Sequence, residues 1–313
     1  MGGSGGSIGS RWKPSETARQ VQETQQKADN ESFRTELAQF LGDLLKQFND
    51  RDSDKIQSRL ADIIDHLKGS LAERIDQNFG GSVAKSTYLE GLSDVDCLLV
   101  MDRMDLENAG PKAMIAKLRD ILAKSLGAEA KVSAGEMAVT VSYKDGMDIQ
   151  LLPAARDGDR LKIPSTRVPD QWSSVRPRNF HDALTKHNAD CAGQLVPTIK
   201  LAKAIIAAQL PDAKQLSGYH VESLAIDAFK NYKGTKTTAA MLPHFFEHAK
   251  GRVLQPMTDS TGQSVHVDEY MGGKNSTART NVSHILDRLA KRVTNASAAN
   301  SITQWKALFG DDQ

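Results

Sequence analysis

Ser93-Asp94-Val95-Asp96-Cys97-Leu98-Leu99-Val100 reads as a β-strand that carries two carboxylates into an apolar setting. Asp94 and Asp96 are two residues apart, so on a strand they share one face. The flank from Cys97 to Met101 is apolar, which places the pair in a buried strand rather than a polar loop. A second run, Met147-Asp148-Ile149-Gln150-Leu151-Leu152, supplies a third carboxylate. Asp148 alternates with Met147, Ile149 and Leu151, which should point to the opposite face. Three clustered carboxylates raise one another's pKa unless positive charge sits between them. Divalent metal meets that need, and oxygen ligands favour Mg²⁺ or Mn²⁺. Two such ions, about 3.5–4 Å apart, can activate an attacking hydroxyl and stabilise a leaving pyrophosphate. Eleven residues separate Asp94 from an upstream Gly81-Ser82. That pair offers backbone N–H groups and a hydroxyl, with no Cβ at Gly81 to keep a triphosphate away.

Outward from these strands the chain reads as α/β. Phe33 to Phe48 and Ile56 to Ile75 repeat apolar residues at helical spacing, and the second run suits a spine helix behind a sheet. Residues 111–126 form an amphipathic helix, and Met137 to Tyr143 alternate as a half-buried strand. Lys144-Asp145-Gly146 is a hairpin signal that returns the chain as the Asp148 strand. Residues 153–179 hold four prolines and little periodicity, which predicts a long irregular crossover between lobes. That crossover carries Arg156, Arg160, Lys162, Arg167, Arg176 and Arg178, which read either as a solvated connection or as a rim that binds phosphate or RNA. Beyond it the pattern is helical: 180–209 with a kink at Pro197, then 218–231, 237–249, 277–293 and 298–308, with a loop from Gln255 to Gly273. On the apolar helix around Ile199, Lys203 and Lys200 would by themselves snorkel to solvent. Ser217 suits the N-cap of the helix that follows it. His244 and His248 share a helix face with Glu247, but no third ligand accompanies them, so they read as surface residues rather than a zinc site.

The stretch from Gly80-Gly81-Ser82 to Asp94-Val95-Asp96 resembles the signature of polymerase-β-like nucleotidyltransferases. More narrowly, it resembles the group of oligoadenylate synthases, cyclic GMP-AMP synthase and the bacterial cGAS/DncV-like (CD-NTase) enzymes. Asp148-Ile149-Gln150-Leu151-Leu152-Pro153-Ala154 resembles the third-carboxylate strand of oligoadenylate synthases. Ile199 to Lys203 is similar to the helix whose lysine contacts nucleotide phosphates. Leu216-Ser217-Gly218-Tyr219-His220-Val221-Glu222 resembles the Ser-Tyr-His segment in which a tyrosine stacks on a base. The four segments occur in family order between residues 80 and 222. The resemblance implies a two-lobed nucleotidyltransferase fold: a small mixed β-sheet with a spine helix, plus a helical C-terminal lobe. It implies catalytic and metal-binding roles for Asp94, Asp96 and Asp148 with two Mg²⁺ or Mn²⁺ ions. It implies nucleotide contacts from Gly81, Ser82, Lys203, Ser217 and Tyr219. Gly218 departs from the cyclic GMP-AMP synthase pattern, which has a second serine there.

The 313 residues suffice for two lobes and a substantial core. A net charge of +1 provides no global basic field for nucleic acid. Two cysteines, Cys97 and Cys191, make neither a disulfide framework nor a cysteine-rich zinc site, so the zinc thumb of cyclic GMP-AMP synthase has no counterpart. No apolar run reaches the roughly 20 residues of a membrane span, and no signal peptide is visible, so the expected location is cytoplasmic with no membrane partner. The division expected is a flexible N-terminal segment over 1–31, with a linker-like remnant at its start, then a catalytic lobe over 32–165 and a helical lobe over 166–313. The expected activity is synthesis of a cyclic di- or trinucleotide second messenger from nucleoside triphosphates, ATP among them, as in bacterial antiphage signalling. Its partners would be a downstream effector that binds the product and, for activation, a regulatory protein or RNA. The alternatives are a linear 2′-5′ oligoadenylate-type synthase, modification of a small molecule or a tRNA 3′ end, and a nucleotide-binding regulator without turnover.

Overall fold

The computed structural model describes residues 14–49, 53–71, 76–79, 95–101, 110–158, 160–165, 170–175, 177–210, 216–258 and 267–310. Two strands organise the sheet. β2 (Val95–Met101) and β5 (Asp148–Asp157) pair in parallel, with Val95 opposite Ile149 and Met101 opposite Ala155. β1 (Asp76–Phe79) adds to β2 antiparallel. On the other edge of β5 lies β4 (Val139–Tyr143), and β3 (Ala130–Ala134) lies beyond it, both antiparallel. The hairpin between β4 and β5 is the expected one. The Tyr143 carbonyl accepts from Gly146 N–H at 3.1 Å, and the Tyr143 N–H donates to Met147 at 2.9 Å. Gly146 takes φ +89°, a conformation that glycine adopts without a Cβ penalty.

One face of the sheet is covered by α2 (Ser53–Leu71) and α3 (Pro111–Leu126). Leu60, Ile63 and Leu67 of α2 and Leu118 and Leu122 of α3 pack with Cys97, Leu99, Ile149 and Leu151, all buried. The alternation expected for Asp148 holds, since Ile149 and Leu151 face this core while Asp148, Gln150 and Leu152 are only partly buried. Further along, the opposite face carries its own small cluster of Leu98, Val100 and Ala154 beside Leu161 and Ile163.

The stretch 153–179 corrects the sequence reading. β5 runs on to Asp157, and β6 (Arg160–Pro164) and β7 (Trp172–Val175) follow as an antiparallel meander. Pro153 misled the reading. It falls between the part of β5 that pairs β4 and the part that pairs β6, where a missing N–H is tolerated. Of the basic residues there, Arg156, Arg160 and Arg178 are exposed, while Arg167 and Arg176 lie outside the described residues.

α1 (Pro14–Asn49) is helical in backbone well before Phe33, where its apolar repeat begins. Its Phe33, Leu37 and Leu41 join a second core, built by α4 (Pro177–Asp190), α5 (Leu195–Gln209), α6 (Gly218–Phe229), α7 (Thr238–Arg252), α8 (Thr277–Ala298) and α9 (Ile302–Leu308). Helix 180–209 is not one kinked helix. α4 and α5 meet at 106°. The break is the turn Cys191–Gln194, where Ala192 and Gly193 have positive φ, and Pro197 sits harmlessly in the first turn of α5. Asn188 caps the new helix, its Oδ1 accepting from Val196 N–H at 3.0 Å. α5 carries apolar residues around its circumference and sits at the centre of this core, with Ile199, Leu201, Ala202 and Ile205 buried alongside Lys200 and Lys203. Among the described residues no single helix is long and apolar enough to cross a membrane.

The N-terminus of α3 shows how the meander is tied back. Lys112 N–H donates to Asp170 Oδ1 at 2.9 Å. That carboxylate lies so close over Gly110 that a Cβ there would stand 2.7 Å from Asp170 Oδ1. Gly110→Ala should therefore displace Asp170 and destabilise the protein by about 1–2 kcal/mol in urea unfolding, the cost of a lost cap. Asp170→Ala should cost a similar amount, and the double substitution little more than either alone. Full additivity would show that the two residues are not coupled.

Candidate active site

The carboxylate end is set by backbone register. Asp96 lies opposite Gln150 in the parallel ladder, and Asp148 is two residues before Gln150, about 7 Å of strand rise away. Asp96 is placed by its backbone alone, and Asp94, Gly81 and Ser82 lie outside the described residues. Asp148 is half-buried. Its carboxylate has no ion pair or hydrogen bond among the described residues, a state that costs free energy unless a cation or water meets it. Oxygen donors on adjacent strands fit Mg²⁺ or Mn²⁺ in chemistry. The described residues alone contain no group of three ligands, as expected when Asp94 and the Asp96 side chain lie outside them.

The hairpin that delivers Asp148 is pinned to α2. Arg59 donates to Asp145 through two parallel bonds, 3.0 and 2.9 Å, and its guanidinium lies 3.8 Å from the Tyr143 ring centroid. Lys55 also pairs with Asp145. Hydrogen bonds from Arg59 and Lys55 hold the Asp145 carboxyl far below the usual carboxylate range.

The proposed nucleotide residues cluster where α5 meets the start of α6. Lys203 does not snorkel. It is 8% exposed, and its Nζ donates to Glu222 Oε1 at 2.8 Å, with Glu222 1% exposed. Gly218 makes room for this pair, because a Cβ there would lie 3.2 Å from Lys203 Nζ and 3.5 Å from its Cε. A serine at this position would require the Lys203 ammonium to shift by a few tenths of an ångström. An ammonium beside a helix N-terminus is repelled by the macrodipole, and Glu222, one turn on, offsets that repulsion. Lys200, the weaker candidate, instead donates to Asn49 of α1.

Ser217 caps α6 as expected, its Oγ accepting from His220 N–H at 3.2 Å. Tyr219 is part-buried and packs on Phe180, ring centroids 4.6 Å apart. The same turn holds residues that sequence reasoning passed over. Tyr270 Oη accepts from Ser217 N–H at 2.9 Å and lies 3.0 Å from His220 Nδ1. His220 is fully buried, and its Nε2, 4.0 Å from Asp268 Oδ2, has no hydrogen-bond partner among the described residues. Burial drives the His220 pKa down to about 4 despite the nearby Asp268 carboxylate; Arg279 and Arg252 push it the same way. Asp268 in turn accepts from Arg279 at 2.7 Å and from Met257 N–H at 3.0 Å. Arg279 was legible in part. An arginine in the first turn of a helix opposes the macrodipole, which signals local compensation. His244 and His248 are half-buried rather than surface groups: His244 packs on Phe229 and Tyr232 and bonds to the Ala228 carbonyl at 2.9 Å, and His248 bonds to Asp227 Oδ2 at 2.8 Å.

Residues 32–188 match the profile of the Second Messenger Oligonucleotide or Dinucleotide Synthetase (SMODS) domain. The fold is shared with solved structures. Vibrio cholerae DncV cyclic AMP-GMP synthase, in complex with the linear intermediate pppA(3′,5′)pG, superposes with TM-score 0.63 at 14% identity, covering 96% of this chain and 91% of that one. Bradyrhizobium diazoefficiens CD-NTase CdnG in complex with GTP gives 0.62 at 17%, covering 82% and 90%. Escherichia coli MS115-1 CdnC with ATP gives 0.58 at 17%, covering 83% and 92%. No curated protein is matched by sequence.

Removing one partner of a buried ion pair strands the other charge, at a cost of about 3–5 kcal/mol, whereas replacing both with apolar groups is often neutral. Lys203→Met should therefore destabilise strongly in urea unfolding, and adding Glu222→Leu should recover most of the loss. A double variant as unstable as the sum of the singles would show that the pair does not hold. A second expectation concerns acid. His220 is neutral when folded, with its pKa lowered from 6.5 to about 4, so between these values only the unfolded chain holds the proton. Stability should fall as pH drops from about 6.5 toward 4. Thermal melts across that range should show the slope in the wild type and flatten it in His220→Asn.

Proposed function

Because the chain belongs to the Second Messenger Oligonucleotide or Dinucleotide Synthetase family, we propose that this nucleotidyltransferase joins nucleoside triphosphates into a cyclic di- or trinucleotide. The observation that carries the reading is the parallel register, which brings the Asp96 and Asp148 backbone positions to the same end of adjacent strands, about 7 Å apart along the strand direction, with the Asp148 carboxylate unpaired among the described residues. Asp94, Asp96 and Asp148 would hold two Mg²⁺ or Mn²⁺ ions, whose chemistry is to neutralise triphosphate charge and acidify an acceptor hydroxyl. Gly81 and Ser82 supply amides and a hydroxyl to the donor triphosphate. Lys203 supplies positive charge that Glu222 keeps from turning away, and Ser217 supplies a hydroxyl at a helix N-terminus. Tyr219, backed by Phe180 on one side, offers a ring to a base. A ribose hydroxyl attacks the α-phosphate, its proton is lost with help from Asp148, the phosphodiester forms and pyrophosphate leaves. The protein's contribution is positioning and charge neutralisation.

The names of similar structures support the substrate class: CdnC is described with ATP, CdnG with GTP, and DncV as a cyclic AMP-GMP synthase. E. coli CdnC is also described in complex with a HORMA protein, which makes a regulatory protein partner a reasonable part of the proposal. We place the enzyme in the cytoplasm, with its product acting on an effector in antiphage signalling.

The direct test incubates the protein with all four nucleoside triphosphates and Mg²⁺ or Mn²⁺, treats the mixture with phosphatase and identifies products by mass spectrometry. A phosphatase-resistant cyclic product is expected. Asp148→Asn should lower its formation at least 100-fold, as the loss of a group acting on the reacting hydroxyl does, while leaving the melting temperature within a few degrees. Linear products would replace the cyclic reading. Nucleotide binding without turnover under either metal would replace the enzymatic one.

A further inference from the structure

A chain of polar contacts runs through the protein interior to the first turn of α6, and the mechanism above does not use it. Its far end is Arg279, fully buried in the first turn of α8. Arg279 donates to the carbonyls of Val253 (3.0 Å) and Gln255 (3.2 Å) on the turn that leaves α7. It also donates to those of Asp268 (3.3 Å), Gly272 (3.0 Å) and Gly273 (3.1 Å), and to the Asp268 carboxylate. One guanidinium therefore fixes both ends of the connection between α7 and α8. Glu269–Met271 forms a single 3-10 turn on that connection, held by Met271 N–H donating to Asp268 O and Gly272 N–H donating to Glu269 O, each 3.0 Å. The turn carries Tyr270, a residue 49% exposed whose hydroxyl points inward to Ser217 and His220.

Ser217 N–H can only donate, so Tyr270 Oη accepts from it. The 3.0 Å contact between Tyr270 Oη and His220 Nδ1 is a hydrogen bond in either neutral tautomer, with the proton on the hydroxyl or on Nδ1. The output of the chain is the position of Ser217 N–H, the residue just ahead of Gly218 and Tyr219.

We propose that Tyr270 is a positioning residue for nucleotide binding: its hydroxyl, oriented by His220, holds the Ser217–Tyr219 turn in the conformation that meets the substrate. The inference rests on the proposed function, since it takes Ser217 and Tyr219 as nucleotide contacts. Tyr270 itself need not touch the nucleotide. Its exposure leaves it little part in the core, so removing the hydroxyl should affect the turn far more than global stability.

The test is Tyr270→Phe, with His220→Leu as a second variant that removes the hydroxyl's imidazole partner. Three readouts separate the outcomes: amide hydrogen exchange at Ser217 and the first turn of α6, equilibrium binding of ATP and GTP, and the split of KM and kcat in product formation. Tyr270→Phe should speed exchange at Ser217 and weaken nucleotide binding about 5- to 10-fold, the worth of one net hydrogen bond. KM should rise by the same factor, and kcat should stay within about 2-fold, since positioning for binding is lost rather than chemistry. The melting temperature should move little. Unchanged exchange at Ser217 would overturn the clamp itself, whatever the protein binds. Faster exchange with unchanged nucleotide affinity would overturn the positioning role and leave a purely structural contact. A wild-type protein that binds neither ATP nor GTP would overturn the proposed function and this inference with it.

Discussion

The parallel ladder between β2 and β5 is the constraint on which the rest depends. Adjacent parallel strands cannot be joined by a tight turn, because the chain must return to the same end before it can pair. Here α3 and the β3–β4 hairpin fill that return. The return carries its own requirements: α3 must cover the sheet, and the Asp145 turn must deliver Asp148 in register. A slip of one residue would send Ile149 and Leu151 to the open face and Asp148 into the apolar core, so the hydrophobic pattern and the carboxylate position enforce the same register. Arg59 and Lys55 then bind the turn to α2, the helix that the sheet already needs for its core.

This redundancy explains why the catalytic half was legible in the sequence. Period-two alternation around Asp148, the Asp-Gly turn and the apolar stripe of residues 111–126 are local signals, and each agrees with the others. The reading failed where the local signal pointed away from the tertiary solution. Pro153 and Pro164 argue against strands in isolation, yet the first falls between two pairing partners and the second ends its strand. Pro197 looks like the kink in a long helix, but a proline in a first turn costs nothing. The actual break came from Ala192 and Gly193, where positive φ at a non-glycine residue has no clear sequence signature.

Around Lys203 the balance was different. Lys203, Ser217 and Tyr219 were named through resemblance, and nothing in their spacing alone would have singled them out. Glu222 stood in plain view in the same segment, but its pairing with Lys203 joins two helices across 19 residues. The Tyr270 bond to Ser217 spans 53. Side-chain pairs at such separations leave no periodicity. They become visible only when packing brings two helices and a connection together. The steric use of Gly218 is of the same kind, since a glycine's purpose depends on what lies opposite it.

Energetics account for why these polar groups gather in one place. The helical core is otherwise apolar, and α5 presents hydrophobic residues on all sides, so each buried charge there carries a desolvation penalty that only a close partner offsets. Lys203 has Glu222, and Arg279 has Asp268 and five carbonyls. An apolar pair of the same volume at Lys203 and Glu222 would serve stability as well, so stability alone does not explain keeping them. What the pair and the Arg279–Asp268–His220–Tyr270 chain have in common is where they end: at the first turn of α6, beside Ser217, Gly218 and Tyr219. Leu216 and Val221 already bury apolar side chains beside that turn, but apolar packing alone does not fix its orientation. Hydrogen bonds of fixed direction hold such a turn more sharply than non-directional apolar packing. Their convergence there is the expected arrangement for a turn whose exact placement matters to a ligand.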